Sequence, residues 1–209
     1  MAEIDTKDRI KQRAHDLVMQ YGIRSVSMDD IANSLGISKK TIYQYYADKD
    51  GLVEEVVSAL LQCNQEQCNK DRTLAKNAIH EVFLARDMMA EMFRTMNPSL
   101  LFDMQKYHPA AYDRFQRHKN EFIYTIIRSN LQRGISEELY REDLNIDLAA
   151  RFRVDSMLLP FVPEFQFHTR LSLAEVQEEL LELFLYGLVT LKGHKMIAKY
   201  KQQREKNNK

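Results

Sequence analysis

The sequence predicts an all-α chain, and three observations carry that prediction. Glycine and proline are scarce, 6 and 4 in 209 residues, where a sheet-rich protein needs many turn residues. Apolar residues recur at three- and four-residue spacing. Serine- and aspartate-led capping patterns punctuate those stretches. Gly22, Gly36 and Gly51 stand about fifteen residues apart and the next glycine is Gly134. That spacing predicts short helices with tight stops, then long ones.

The first helix is expected from about Asp5 to Tyr21, with Ile10, Ala14, Leu17, Val18 and Tyr21 on one face and Gly22 as a left-handed stop. Ser27-Met-Asp-Asp30 is a capping box that opens a second helix ending at Gly36. Ser38 caps a third, Lys39 to about Tyr46, and Asp48 or Asp50 caps a fourth that runs to about Asn69. The second and third are too short to persist alone in water, where about 12–15 residues are needed. They must pack on their neighbours, and the glycine-containing turn Leu35-Gly36-Ile37-Ser38 joins them as a helix-turn-helix. Longer helices are expected at about 73–96, 98–107, 109–133, 146–168 and 173–203, with a polar connection over 134–145. Pro160 and Pro163 kink or break the fourth of these, and Ser172-Leu-Ala-Glu175 is a second capping box.

The net charge is zero, 30 basic against 30 acidic side chains, which argues against a nucleic-acid partner only if the charge is evenly spread. It is not. Residues 1–51 hold 8 basic and 8 acidic groups, residues 52–191 hold 15 and 21, and residues 192–209 hold 7 and 1. On the third helix Ile42 and Tyr46 face inward, and Lys39, Lys40, Tyr43 and Gln44 face out. Two lysines at a helix N-terminus oppose the macrodipole, and a phosphate backbone supplies a reason for them. Gln44 can pair with an adenine edge, lysine with guanine acceptors, and Thr41 with a base edge or a thymine methyl. Tyrosine hydroxyls reach phosphates, and Lys49 stands where it can clamp the backbone. The bland alternative is an ordinary solvated face.

The segment Val26–Leu52, above all Ile31-Ala32, Leu35-Gly36-Ile37-Ser38, Thr41-Ile42-Tyr43-Gln44-Tyr45-Tyr46 and Lys49-Asp50-Gly51-Leu52, resembles the DNA-binding region of the TetR/AcrR family of transcriptional regulators. The resemblance spans about residues 7–60. It implies an N-terminal DNA-binding domain, taken as residues 1–50, and a larger helical domain for effector binding and dimerisation, residues 51–209. It places Ser27, Ser38, Lys39, Thr41, Tyr43, Tyr45 and Lys49 against DNA. Lys40 stands where many members carry a small residue, and Gln44 where members vary, which suits sequence discrimination. A palindromic operator, a homodimer and repressor action belong to the same expectation.

In the second half the run Leu180–Leu191 is apolar almost all round the helix, so it must be buried on two sides. With residues 146–159 it suggests a two-fold interface of four helices, through Leu148, Phe152, Leu180, Phe184, Gly187, Leu188 and Leu191. A central helix of a monomer is the alternative. Met89, Met92, Phe93 and Met96 form one helical stripe, and Phe115, His118 and Phe122 another. With Met104, Tyr107, Phe152 and Met157 they are candidates to line a cavity for an apolar effector, or simply core.

An enzyme is disfavoured: no Glu-x-x-His pair, phosphate-binding glycine loop, G-x-S-x-G or H-E-x-x-H is present. A DNA-binding protein of the same fold without a small-molecule effector, controlled by a protein partner or acting architecturally, remains the competing class. The start MAEIDTKDRIKQR lacks a leader's apolar segment, and no apolar stretch reaches the 18 or so residues of a membrane span. A cytoplasmic protein is expected. Cys63 and Cys68, five apart on one helix, read as thiols, and no cofactor or metal is expected. The basic tail from Lys192 onward reads as a solvated helix end or a second DNA contact.

Overall fold

The computed structural model of the chain describes residues 5–162, 165 and 170–207. The described residues are all-α, with one isolated antiparallel bridge, Tyr140–Val189. They form two compact units: residues 1–64 with 95–118, and residues 65–94 with 119–209. The first unit thus takes in residues 51–64 and 95–118, which the sequence assigned to the second domain.

In the first unit α1 (Thr6–Tyr21), α2 (Met28–Leu35), α3 (Lys39–Tyr43) and the start of α4 (Lys49–Leu74) are joined by α6 (Leu100–Tyr107) and α7 (Pro109–Arg117). Between them in sequence runs α5 (Ala78–Thr95). Ile10, Ala14 and Val18 of α1 are buried as expected, but Tyr21 is exposed and Met19 takes its place inside. Gly22 has φ 83°, ψ 156°, a positive φ outside the left-handed helical region, and closes α1 with its N–H on the Val18 carbonyl. Gly36, at φ 67°, ψ 29°, is the left-handed stop the sequence announced for α2. Helix α3 ends at Tyr43, three residues early, in tight turns: Gln44 N–H donates to the Thr41 carbonyl and Tyr45 N–H to that of Ile42. Tyr46 still reaches the interior. Asp48, not Asp50, caps α4 by accepting the Gly51 N–H at 2.8 Å. The core holds Ile10, Ile31, Ile42, Tyr46, Leu52 and Met104. Truncating a fully buried residue such as Ile42 to alanine costs about 2–5 kcal/mol.

The second unit comprises the rest of α4 and most of α5, then α8 (Tyr124–Ser136), α9 (Ile146–Ser156), α10 (Leu173–Leu188) and α11 (Leu191–Asn207). A π-helical turn, His118–Ile123, precedes α8, and a 3-10 turn, Leu159–Phe161, follows α9. Two expectations are corrected here, Gly134 as a stop and a single final helix, and the break at Pro160 is found. Gly134 is not a stop: it lies inside α8, because a Cβ there would stand 2.0 Å from the Tyr140 ring. The connection after it is polar and largely exposed as expected, but Leu139 and Tyr140 within it are core, with the Tyr140 hydroxyl donating to Asn130 Oδ1 at 3.1 Å and Asn130 Nδ2 donating to the Ala78 carbonyl at 3.0 Å. Helix α9 stops at Ser156 ahead of Pro160, whereas Pro163 lies outside the described residues. The expected final helix is two helices. Val189 is extended at ψ 150°, the Arg141 N–H donates to the Leu188 carbonyl and the Thr190 N–H to that of Leu139. Thr190 then caps α11 by accepting the Gly193 N–H at 3.2 Å. Two β-branched residues in succession weaken a helix at that point. The capping box at Ser172 and Glu175 is formed as expected.

Candidate nucleic-acid interface

Two caps set the helix-turn-helix. The Ser27 hydroxyl accepts the Asp30 N–H at 3.1 Å, while the Ser27 N–H donates to Asp30 Oδ2 at 2.8 Å. The Ser27 hydroxyl, 2.6 Å from Asp30 Oδ2, and then the Ser27 N–H hold the Asp30 carboxyl below the usual carboxylate range. At α3 the Ser38 hydroxyl accepts the Thr41 N–H at 3.0 Å, and the two hydroxyls lie 2.8 Å apart. Both serines and Thr41 therefore already serve the fold, which fixes the angle at which α3 is presented.

Charge on this face is smaller than a residue count suggests. Lys39 Nζ lies 2.6 Å from Asp29 Oδ2, an exposed pair that raises the lysine's pKa. Lys49 Nζ is turned inward and donates to the Ile23 carbonyl at 2.6 Å, and its burial lowers its pKa against the pull of Asp103, Asp50 and Asp30. Lys40, Tyr43, Gln44 and Tyr45 are exposed, and their side chains hydrogen-bond to none of the described residues. The outward set the sequence proposed thus divides: Lys40, Tyr43, Gln44 and Tyr45 stand open, Lys39 is paired, and Ser27, Ser38, Thr41 and Lys49 hold the framework.

Sequence reasoning missed what fixes the α1–α2 loop. Buried Asp103 of α6 accepts the Arg24 N–H at 3.1 Å and the Ser99 hydroxyl at 3.2 Å. The Asn97 N–H donates to the Met19 carbonyl at 2.7 Å, at the end of α1. With Lys49 on Ile23, consecutive loop residues are tied from two helices. An acidic residue expected to be solvated on an amphipathic helix gives no sequence signal of this role.

The other candidates fall in different places. In the first unit Met104 is core, Phe115 packs on it, Met96 is half-buried, Tyr107 is exposed under Arg24, and His118 is buried with Nε2 2.9 Å from Asn64 Oδ1. In the second, Met89, Met92, Phe122 and Met157 are half-buried, and Phe93 packs edge-on against Phe161 at 5.7 Å. A small cleft between α5, α10 and α11, lined by Val82, Phe83, Leu181, Leu185 and Ile197, holds about 20 Å³, room for one water. Phe152 stands on the surface, 60% exposed, stacked on Phe184 at 6.3 Å.

Around that aromatic pair lies an apolar face: Leu148 at 67% and Leu183 at 71% exposure, with Leu191 and Gly187 also exposed and Leu180 and Phe184 half-buried. Leu188, 4% exposed, belongs to the second unit's own core, so it leaves the expected interface set, and Leu183, which the sequence passed over, joins it. Of the basic tail, Lys192 pairs with Glu138, Lys201 with Glu182 and Arg204 with Asp87, so these cations neutralise acidic groups of their own unit. The side chains of Lys206 and Lys209 lie outside the described residues. No described helix is long and apolar enough to cross a membrane.

Residues 10–56, the span of these caps and of α3, match the family model of bacterial regulatory proteins, tetR family. The chain is 27% identical over 185 residues to the HTH-type transcriptional regulator YvaF of Bacillus subtilis, covering 86% of this chain and 94% of that one. It is 23% identical over 192 residues to the HTH-type transcriptional repressor KstR2 of Mycolicibacterium smegmatis, covering 90% and 93%. Its fold is that of a transcriptional regulator from Saccharomonospora viridis solved in complex with choline, with a TM-score of 0.69 at 16% identity over 90% of this chain and 100% of the other. The doubly capped helix-turn-helix with its open third helix thus lies in the stretch that matches the tetR-family model, and along most of its length the chain is similar to HTH-type transcriptional regulators.

Proposed function

We propose that the chain is a cytoplasmic repressor that binds a palindromic operator as a homodimer and leaves it when a small molecule binds the second unit. The observation that carries this reading is the uncovered face of α9 and α10. Leu148, Phe152 and Leu183 are large apolar side chains left exposed, as at an interface. Two copies joined there by a two-fold axis would offer two α3 helices to successive major grooves, with half-sites about 10 base pairs or more apart. Residues 1–50 then contact DNA through Lys40, Tyr43, Gln44 and Tyr45, with Lys39 released from Asp29 onto a phosphate. The remainder supplies dimerisation and effector binding. Met89, Met92, Phe93, Phe122 and Met157 are the adaptable apolar side chains the second unit has for the latter. Support for an effector comes from the choline bound to the structural neighbour, and for repression from the name of the mycobacterial relative. Sedimentation velocity of the protein with a selected duplex tests the reading: two chains per short duplex are expected, and one chain would contradict it.

A further inference from the structure

We propose that the second unit holds a site for a small molecule with an apolar body and a carboxylate, the carboxylate received by Arg153 of α9. The proposal deepens the effector reading above and rests on it.

Arg153 is 4% exposed, and its Nη1 has no hydrogen-bond partner among the described residues. It pairs with no carboxylate among the described residues: the nearest acidic neighbour on its helix, Asp155, is exposed and pairs with Lys119 at 3.2 Å. What faces the guanidinium is the Phe184 ring, with 5.9 Å between Cζ and the ring centre, a partial substitute for a counter-charge. Burial alone acts on the group, lowering its pKa to about 10, so it keeps its proton at neutral pH. Buried arginines are normally matched by a carboxylate or phosphate in a two-pronged contact, and an unmatched one is costly to the fold.

A second orphan lies on α10. Buried Gln177 of α10 donates Nε2 to the Met157 carbonyl, and its Oε1 has no partner. The Met157 N–H itself donates to the Arg153 carbonyl at 3.2 Å, so the glutamine is anchored one helical turn from the arginine. Each is buried and unmet: the cationic donor calls for an anionic oxygen, and the neutral acceptor for a hydroxyl or N–H donor elsewhere on the same ligand. Phe184, under the guanidinium, and Met157, under the glutamine, are the apolar side chains beside these groups. An apolar effector alone would leave both orphans unmet.

Thermal unfolding of the full-length protein tests this with hexanoate, decanoate and phenylacetate, each beside its neutral alcohol. The acids should raise the wild-type Tm by several degrees and the alcohols by less. R153M should unfold at a higher temperature than wild type, because it deletes an unmatched buried charge of similar volume, and should lose the preference for acids. Should R153M fail to fold, R153K carries the test. It keeps the charge without the fork, so the preference should persist with affinity about tenfold weaker. An R153M less stable than wild type, with the acid preference intact, overturns the proposal and makes the guanidinium a structural group met by Gln177 or an internal water. Unchanged acid affinity in R153K overturns it as well. Equal responses to acids and alcohols overturn the carboxylate assignment and leave the effector reading standing. Silence towards all six overturns the site, and the effector reading is then judged on operator release alone.

Discussion

The helix-turn-helix of the first unit and the α9–α10 region of the second treat their polar and apolar groups in opposite ways. In the first, polar side chains near each turn close that turn: Ser27 with Asp30, Ser38 with Thr41, Asp48 with Gly51, Lys49 with Ile23, Asp103 with Arg24. What stands open on α3 and the turn after it is hydrophilic: a lysine, a glutamine and two tyrosines. The second unit leaves leucines and a phenylalanine outside and an unmatched arginine and glutamine carbonyl inside. A domain that reads a polyanion in water can be complete in itself, because its ligand replaces solvent at groups already solvated. A domain that joins a second copy and encloses a small molecule carries the complement of both as uncovered apolar surface and unmet buried polarity.

The largest expected effect strikes the second unit's surface. Phe152→Glu with Leu183→Glu should give monomers by sedimentation and weaken operator binding roughly 100-fold or more, since each lost 1.4 kcal/mol is tenfold. A dimer that survives both moves the interface elsewhere. Within the first unit, Asp103→Ala leaves the Arg24 N–H unmet and should cost about 1–3 kcal/mol in urea unfolding, with operator affinity falling alongside. Gln44→Ala should cost about 1–3 kcal/mol at one base position and leave the others unchanged. Lys40→Ala should weaken binding to all sequences alike and lower the salt slope by about 1. A Lys39→Ala slope change larger than that of Lys40→Ala would show that Asp29 gives up its partner on DNA.

The smallest effect concerns pH. Burial holds the His118 pKa below its ordinary 6.5, so the folded state binds fewer protons than the unfolded chain. Its contribution is fully present above about pH 6.5 and is lost as pH falls below that value. His118→Gln should flatten the acid side of the stability profile in urea titrations between pH 7 and 5 and leave the alkaline side unchanged.

What was legible in the sequence follows the same division. Caps and glycine stops act over three or four residues, so Ser27, Gly36, Ser38 and Ser172 could be read directly, and with them the fold class and the open face of α3. Partners far apart in sequence could not. Tyr140 inside the space left by Gly134, Asp103 on the α1–α2 loop and Leu188 turned into its own core depend on pairings across tens of residues. The length of α3 was overestimated because Tyr46 reaches the core from a tight turn as well as it would from a helix. The break at Val189-Thr190 did carry a local signal, two β-branched residues with a threonine cap, which the apolar run around it masked. Residue counting also overstated the positive charge of the DNA face, because ion pairing of Lys39 and burial of Lys49 are tertiary facts.

Selection of bound sequences from a random DNA pool by the full-length protein tests the central claim most directly, that paired α3 helices read a two-fold operator. The expected result is an enriched inverted repeat with half-sites about one helical turn or more apart, in which Gln44→Ala relaxes one position in each half. Enrichment of a single, unrepeated site, or the same preferences with Gln44, Tyr43 and Lys40 all replaced by alanine, would contradict it.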